Sequence, residues 1–150
     1  MKTLTSSILF LTLLGAGNAV AAENCTIKLS GNDAMQFDKK EATVSASCAK
    51  VTIELAHSGK MADTVMGHNV VITKTADVSD VSKAGMKAGA AANYVPADAR
   101  VLGSTKVIGG GKSTSATFAG SKLKAGESYT FFCSFPGHSS IMKGTLMVTK

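Results

Sequence analysis

Val51, Ile53 and Leu55 alternate with Thr52, Glu54 and Ala56, and that two-residue period dictates what this segment can become. Successive side chains of a strand point to opposite faces, so the pattern describes a strand with one face in a core and one in water. Leu146 and Val148, set between Thr145, Met147 and Thr149, repeat it near the end of the chain. Candidate strands cover residues 25–30, 43–47, 51–57, 69–73, 101–108, 113–118, 127–133 and 143–149, separated by Gly, Asp, Asn and Ser. Eight short strands in a chain of this size predict an all-β sandwich. One segment, 76–92, breaks the rhythm: it is rich in Ala, with Val78, Val81 and Met86 near helical spacing. Gly85 and Gly89 limit its length, which predicts one short helix packed outside the sandwich.

The first residues follow a different logic. Met1 and Lys2 give a positive start, residues 8–14 are almost wholly apolar, and Ala19-Val20-Ala21 forms an A-x-A cleavage pattern. The apolar run is shorter than the roughly 20 residues a membrane-spanning helix needs. Residues 1–21 are therefore expected to be a cleaved export signal, with cleavage after Ala21 or Ala22 and no membrane anchor. Residues 22–150 form a single domain, and export places it in the periplasm.

An exported chain meets oxidising conditions, and this one has three cysteines: Cys25, Cys48 and Cys133. One disulfide and one leftover thiol is the simplest arithmetic. Sixteen Lys and Arg against ten Asp and Glu give a formal charge of +6, but the lysines are spread along the chain. No dense basic run or aromatic-interleaved stripe accompanies them, which argues against nucleic-acid binding.

The leftover cysteine lies in Cys133-Ser-Phe-Pro-Gly-His138-Ser-Ser-Ile-Met142, where a thiol, an imidazole and a thioether share ten residues between two predicted strands. Taken singly, each has an ordinary explanation: a buried free thiol, a loop histidine, a core methionine. Together they form a donor set suited to copper, whose two oxidation states accept thiolate, imidazole and a weak thioether. His68, at the start of a predicted strand, supplies a second imidazole. Structural zinc wants four strong donors, and no carboxylate lies near Cys133 or His138 in the sequence. A nucleophilic Cys–His pair needs an exposed thiolate and a cleft, whereas Cys133 sits at a strand end beneath an apolar loop.

At these residues the chain resembles the azurins, cupredoxins of the bacterial periplasm. The resemblance runs through Cys25, Gly31-Asn32-Asp33, Met35-Gln36-Phe37, Cys48, Val65-Met66-Gly67-His68-Asn69, Ser121-Lys122-Leu123-Lys124, Phe131 and Lys143-Gly144-Thr145-Leu146. It implies an eight-stranded Greek-key sandwich with a Cys25–Cys48 disulfide. It makes His68, Cys133 and His138 the strong ligands of one copper ion, with Met142 the long axial ligand and the Gly67 carbonyl opposite. Asn69 and Phe135 would stand beside the ligands, Asn69 tying the ligand loop to a strand. The ring edge of His138 would emerge through an apolar docking patch of Met35, Met61, Val65, Met66, Met86, Phe135, Pro136, Gly137 and Ile141. Two departures stand out: Val70 replaces the tryptophan common in the family, and Ser58 follows His57 where many azurins carry proline.

The implied function is a one-electron carrier and not an enzyme: a monomer shuttling between redox proteins such as c-type cytochromes, periplasmic reductases or dehydrogenases through transient contacts. A periplasmic copper carrier or buffer is the alternative, though such proteins favour Met- or His-rich tracts that are missing here.

Overall fold

A computed structural model describes residues 24–150; the expected export signal at 1–21 and its cleavage point lie outside the described residues. Among the described residues, eight strands form two sheets. The smaller one orders β1 (Thr26–Gly31), β3 (Lys50–His57) and β6 (Ser113–Ala119) side by side. β1 runs parallel to β3, placing Ile27 beside Ile53 and Leu29 beside Leu55, while β6 is antiparallel to β3. All four of those aliphatic side chains are buried, as the two-residue period requires, and the opposite face carries Lys28 paired with Glu54 at 3.1 Å.

The larger sheet has the order β2 (Glu41–Ser45), β8 (Lys143–Thr149), β7 (Tyr129–Phe132), β4 (Val71–Lys74) and β5 (Gly103–Ser104). β7 is central and buried at all four positions, so it shows no alternation with water. Tyr129 and Phe131 point into the sandwich, where Phe131 meets Phe37 edge-to-face at 5.6 Å. Phe132 points the other way, into a second cluster with Val71 and Val81. Val81 belongs to helix α2 (Val78–Ala88), the expected outer helix, which covers this far face. α2 ends where Gly89 adopts φ +75°, the left-handed conformation that favours glycine. A single turn, α1 (Asp63–Met66), was not foreseen.

The expected strand at 101–108 pairs regularly over only two residues. The chains do not separate beyond them. Thr105 donates its N–H to the Val70 carbonyl, but its hydroxyl accepts from Val70 N–H, replacing one rung of the ladder with a side chain. Pairing resumes as an isolated bridge between His68 and Ile108, with both N–H groups donating to the opposite carbonyl. This interruption sets His68 at the end of the sheet nearest the ligand loop. Val70 is fully buried in the main core, so the position of the missing tryptophan is filled by a smaller side chain.

Cys25 and Cys48 form the disulfide, and Cys133 is free and buried. The bridge links residues 23 apart, for which restricting the unfolded chain is worth about 3.5 kcal/mol. Among the described residues, no helix is long and apolar enough to cross a membrane.

Candidate metal centre

Cys133 follows the last residue of β7, and Met142 immediately precedes β8. Cys133 N–H donates to the Met142 carbonyl at 2.9 Å, so the antiparallel pairing of β7 and β8 closes the loop between them. Within the loop, His138 N–H donates to Phe135 O and Met142 N–H donates to His138 O. Gly137, at φ +82°, makes the left-handed turn that brings the next residue back inward. His138 is 3% exposed as a result.

His68, Cys133 and His138 bring one donor atom each to within 4.8 Å of one another, all three buried. Cys133 Sγ lies 3.9 Å from His68 Nδ1 and 3.5 Å from His138 Nδ1. An ion bound at about 2.3 Å from sulfur and about 2.05 Å from nitrogen in a trigonal plane would separate these atoms by about 3.8 Å. The pocket is thus already the size of a metal ion. Among the described residues, no carboxylate joins the cluster, and the fully buried side chain of Met142 lies near enough to His68 that one Cβ on Gly31 would touch both. That donor set suits copper and lacks the fourth strong donor of structural zinc.

Neighbouring groups orient the donors. His68 Nε2 donates to the Asn32 carbonyl at 2.8 Å, which leaves Nδ1 with its lone pair toward the thiol. Burial holds the His68 imidazole below its ordinary pKa and brings His138 down to about 4, so both rings are neutral near pH 7. Burial also pushes the Cys133 thiol up to about 11, despite the Asn69 and Phe135 N–H groups that favour a thiolate. Coordination to a cation removes that proton. The Gly67 carbonyl is 3.8 Å from Cys133 Sγ.

Asn69 hydrogen-bonds to the loop from the sheet side. Its Oδ1 accepts from Ser134 N–H at 2.9 Å, and its Nδ2 donates to Ser134 Oγ and to the Asn93 carbonyl, each at 2.8 Å. Phe135 packs on the His138 ring with centroids 4.8 Å apart and on Tyr94 at 5.3 Å. The third histidine, His57, stacks on His68 at 4.3 Å, but both its ring nitrogens are engaged. Nδ1 accepts from Gly59 N–H and Nε2 donates to the Met66 carbonyl.

Sequence reasoning missed two supports. The Asn32 carbonyl is a backbone group with no side-chain signature. Gly31 is required because a Cβ there would stand 2.6 Å from His68 Cδ2 and 3.0 Å from Met142 Cε. Gly67 is constrained likewise, with the Asp63 carbonyl 2.3 Å from any added Cβ. Gly–His and Gly–Asn pairs in loops leading to a donor were the only available signal.

Of the expected patch residues, Met61, Val65, Met86, Pro136, Gly137 and Ile141 are exposed, and Met35 and Met66 are half-buried. Phe135 is only 9% exposed and supports the surface from beneath, because its ring is enclosed by Tyr94 and His138. Among the described residues, every fully enclosed side-chain nitrogen or oxygen has a partner. Within those residues His138 Nε2 has none, so this atom of the otherwise buried ring reaches the surface.

Comparison with known proteins agrees with this geometry. Residues 23–149 match the family described as copper binding proteins, plastocyanin/azurin family. The chain is 58% identical over 123 residues to Azurin-1 of Alcaligenes xylosoxydans xylosoxydans, covering 81% of this chain and 95% of that one. It is 54% identical over 138 residues to the azurin of Bordetella pertussis, covering 91% and 92%. The solved structure of the azurin Az-iso2 from Methylomonas sp. strain J superimposes with a TM-score of 0.80 at 46% identity, covering 84% of this chain and 98% of that one. Sandwich, donor cluster and sequence agree: the chain belongs to the plastocyanin/azurin family of copper-binding proteins and is a blue-copper electron carrier.

Proposed function

We propose that residues 22–150 work as a monomeric periplasmic shuttle, freed from a signal at 1–21, that passes single electrons between redox proteins. His68, Cys133 and His138 would hold copper as strong ligands, with Met142 axial and the Gly67 carbonyl opposite. The observation that carries this reading is the buried trio of donor atoms lying within 4.8 Å. Bound copper supplies a one-electron couple with strong thiolate-to-metal charge transfer. The protein supplies rigidity: the Asn69 hydrogen bonds, the Asn32 carbonyl and the stacked His57 ring each restrict a ligand's movement.

Enclosure of the donors supports a carrier over an enzyme, because catalytic metal sites keep a position open for water or substrate. It also favours a carrier of electrons over a carrier of copper, since buried ligands exchange an ion slowly. Electrons would pass through the exposed edge of His138 and its apolar surroundings. Weak redox encounters bury less than about 1,200 Å², and c-type cytochromes, reductases or dehydrogenases of the same compartment fit that mode of contact.

One equivalent of cupric ion should turn the purified protein intensely blue, and Cys133→Ser should abolish the colour. The copper should remain bound through repeated reduction and reoxidation in the presence of an apoprotein acceptor. A Cys133→Ser protein that stays equally blue, or copper that moves to the acceptor within a few cycles, would refute the reading. The exit route has its own test. Ile141→Lys should slow electron self-exchange with the blue spectrum unchanged, while Lys28→Glu on a distant face should not.

A further inference from the structure

The surface around His138 is not electrically uniform. On one side, helix α2 is fastened to the ligand loop. Ser82 Oγ donates to Ser139 Oγ at 2.7 Å, next to His138 itself. Gly85 lies so close to the Tyr94 carbonyl that an added Cβ would stand 2.1 Å from it, and Tyr94 packs on Phe135, which packs on His138. Met86 follows Ser82 by four residues, so it rises from the same side of the helix, and it is 54% exposed. Lys83 and Lys87 flank it along α2, and the three side chains line one open groove.

Like most lysines of the described residues, these two carry no ion pair; what sets them apart is their place in one row on the helix bonded to the ligand loop. Lys28 is paired with Glu54 and Lys74 with Glu127. Asp80, three residues before Lys83, is taken by Arg100. Among the described residues, neither Lys83 nor Lys87 has a carboxylate within ion-pair distance, and both are exposed. Four residues apart on a helix, their Cβ atoms are about 5–6 Å from each other, inside one Debye length of about 10 Å at 0.1 M salt. They act as one double charge. Across the loop the rim is mixed: Asp33, whose carboxylate accepts from the Lys60 and Met61 N–H groups, and Asp63 at the start of α1.

We propose that α2 is the steering edge of the docking surface and that it selects an acidic redox protein. The partner's carboxylates meet Lys83 and Lys87 while its apolar area covers Met86, Pro136 and Ile141. The uneven rim gives such a partner one orientation in which its charges are matched, placing its redox centre over His138. This inference rests on the docking reading above.

The probe is a soluble c-type cytochrome of acidic isoelectric point, in native form and with its carboxylates amidated. Stopped-flow mixing of the reduced copper protein with the oxidised cytochrome gives the second-order rate of electron transfer. With the native cytochrome the rate should fall about tenfold between 10 and 300 mM salt. Lys83→Gln/Lys87→Gln should remove most of that dependence with the blue spectrum unchanged, and so should amidation. Lys28→Gln/Lys39→Gln, on another face, should keep it. A double variant with the full salt dependence, or a control pair that loses as much, overturns the proposal. So does salt-dependent pelleting with phosphatidylglycerol vesicles that needs Lys83 and Lys87 while the cytochrome rate does not, because the edge would then serve a lipid surface. Ile141→Ser separates the two readings: an unchanged rate at 300 mM would refute docking at His138 itself, whatever the lysines do.

Discussion

Replacing Asn69 by alanine should cost the metal-free protein about 3 kcal/mol, more than its lost side-chain contacts suggest. Asn69 is fully buried and makes three hydrogen bonds, two of them to Ser134, which is itself 1% exposed. Alanine leaves Ser134 N–H without an acceptor in a place water does not reach, a penalty of about 1–3 kcal/mol. Ser134 Oγ loses its donor as well, adding about 1 kcal/mol. The Asn93 carbonyl is less affected, since Asn93 is half-exposed and water can replace the amide. For a domain of this size the sum lowers the midpoint of thermal unfolding by about 10 °C. Circular dichroism melts should be run without copper, because an ion bound only by the folded state would mask the loss. Ser134→Ala should cost only about 1 kcal/mol, because its N–H still reaches Asn69 Oδ1 and Asn69 Nδ2 still reaches Asn93. Added to Asn69→Ala it should cost almost nothing, since the hydroxyl has already lost its donor. An Asn69→Ala protein within about 1 kcal/mol of the parent, or two losses that simply add, would show that this amide does not anchor the ligand loop.

Gly31→Ala should disturb the copper site more than the fold: its methyl would press on His68 Cδ2 and Met142 Cε, changing the absorption spectrum while the stability falls by less than about 2 kcal/mol. An unchanged spectrum would show that these side chains can retreat. If Met142 is the weak ligand proposed above, Met142→Leu should keep a blue site and raise the reduction potential in favour of the cuprous ion; voltammetry checks the direction, and loss of copper binding would contradict it. Without copper, stability should fall as pH drops from about 6.5 toward about 4. Burial lowers the His138 pKa to about 4 in the folded state, and His68 shifts the same way, so the unfolded chain takes up protons first and acid favours it. Urea midpoints that stay level or rise between pH 7.5 and 5 would contradict that sign.

Much of this architecture is legible in the sequence because it rests on side-chain type and period. β3 announces itself through Val51, Ile53 and Leu55, and the ligand loop through three unlike donors in ten residues. What escapes is carried by the backbone or by distance. The Asn32 carbonyl that orients His68 has no letter of its own, and Gly31 reads as a turn until His68 and Met142 are seen against it. β5 was expected to be long because Val101, Val107 and Ile108 suit a strand, but Thr105 substitutes its hydroxyl for a rung of the ladder. α1 is one turn long, too short for a period to show. The lysines look dispersed along the chain, and only the helix brings Lys83 and Lys87 into one row on the element that bonds to the ligand loop at Ser139.

The pairing of β2 with β8 has a consequence for how the chain assembles. Residues 41–45 lie parallel to residues 145–149, so one strand waits for another made about a hundred residues later. Closing a loop of that length costs about 4 kcal/mol of chain entropy before the contacts it allows can repay it. β8 is also interior, with β2 on one side and β7 on the other, so the larger sheet cannot be completed from its start outward. Non-local pairing of this kind belongs to slow-folding topologies. A chain lacking residues 143–150 would leave β2 and β7 each with an open edge, so that loss would split the sheet in two instead of trimming it.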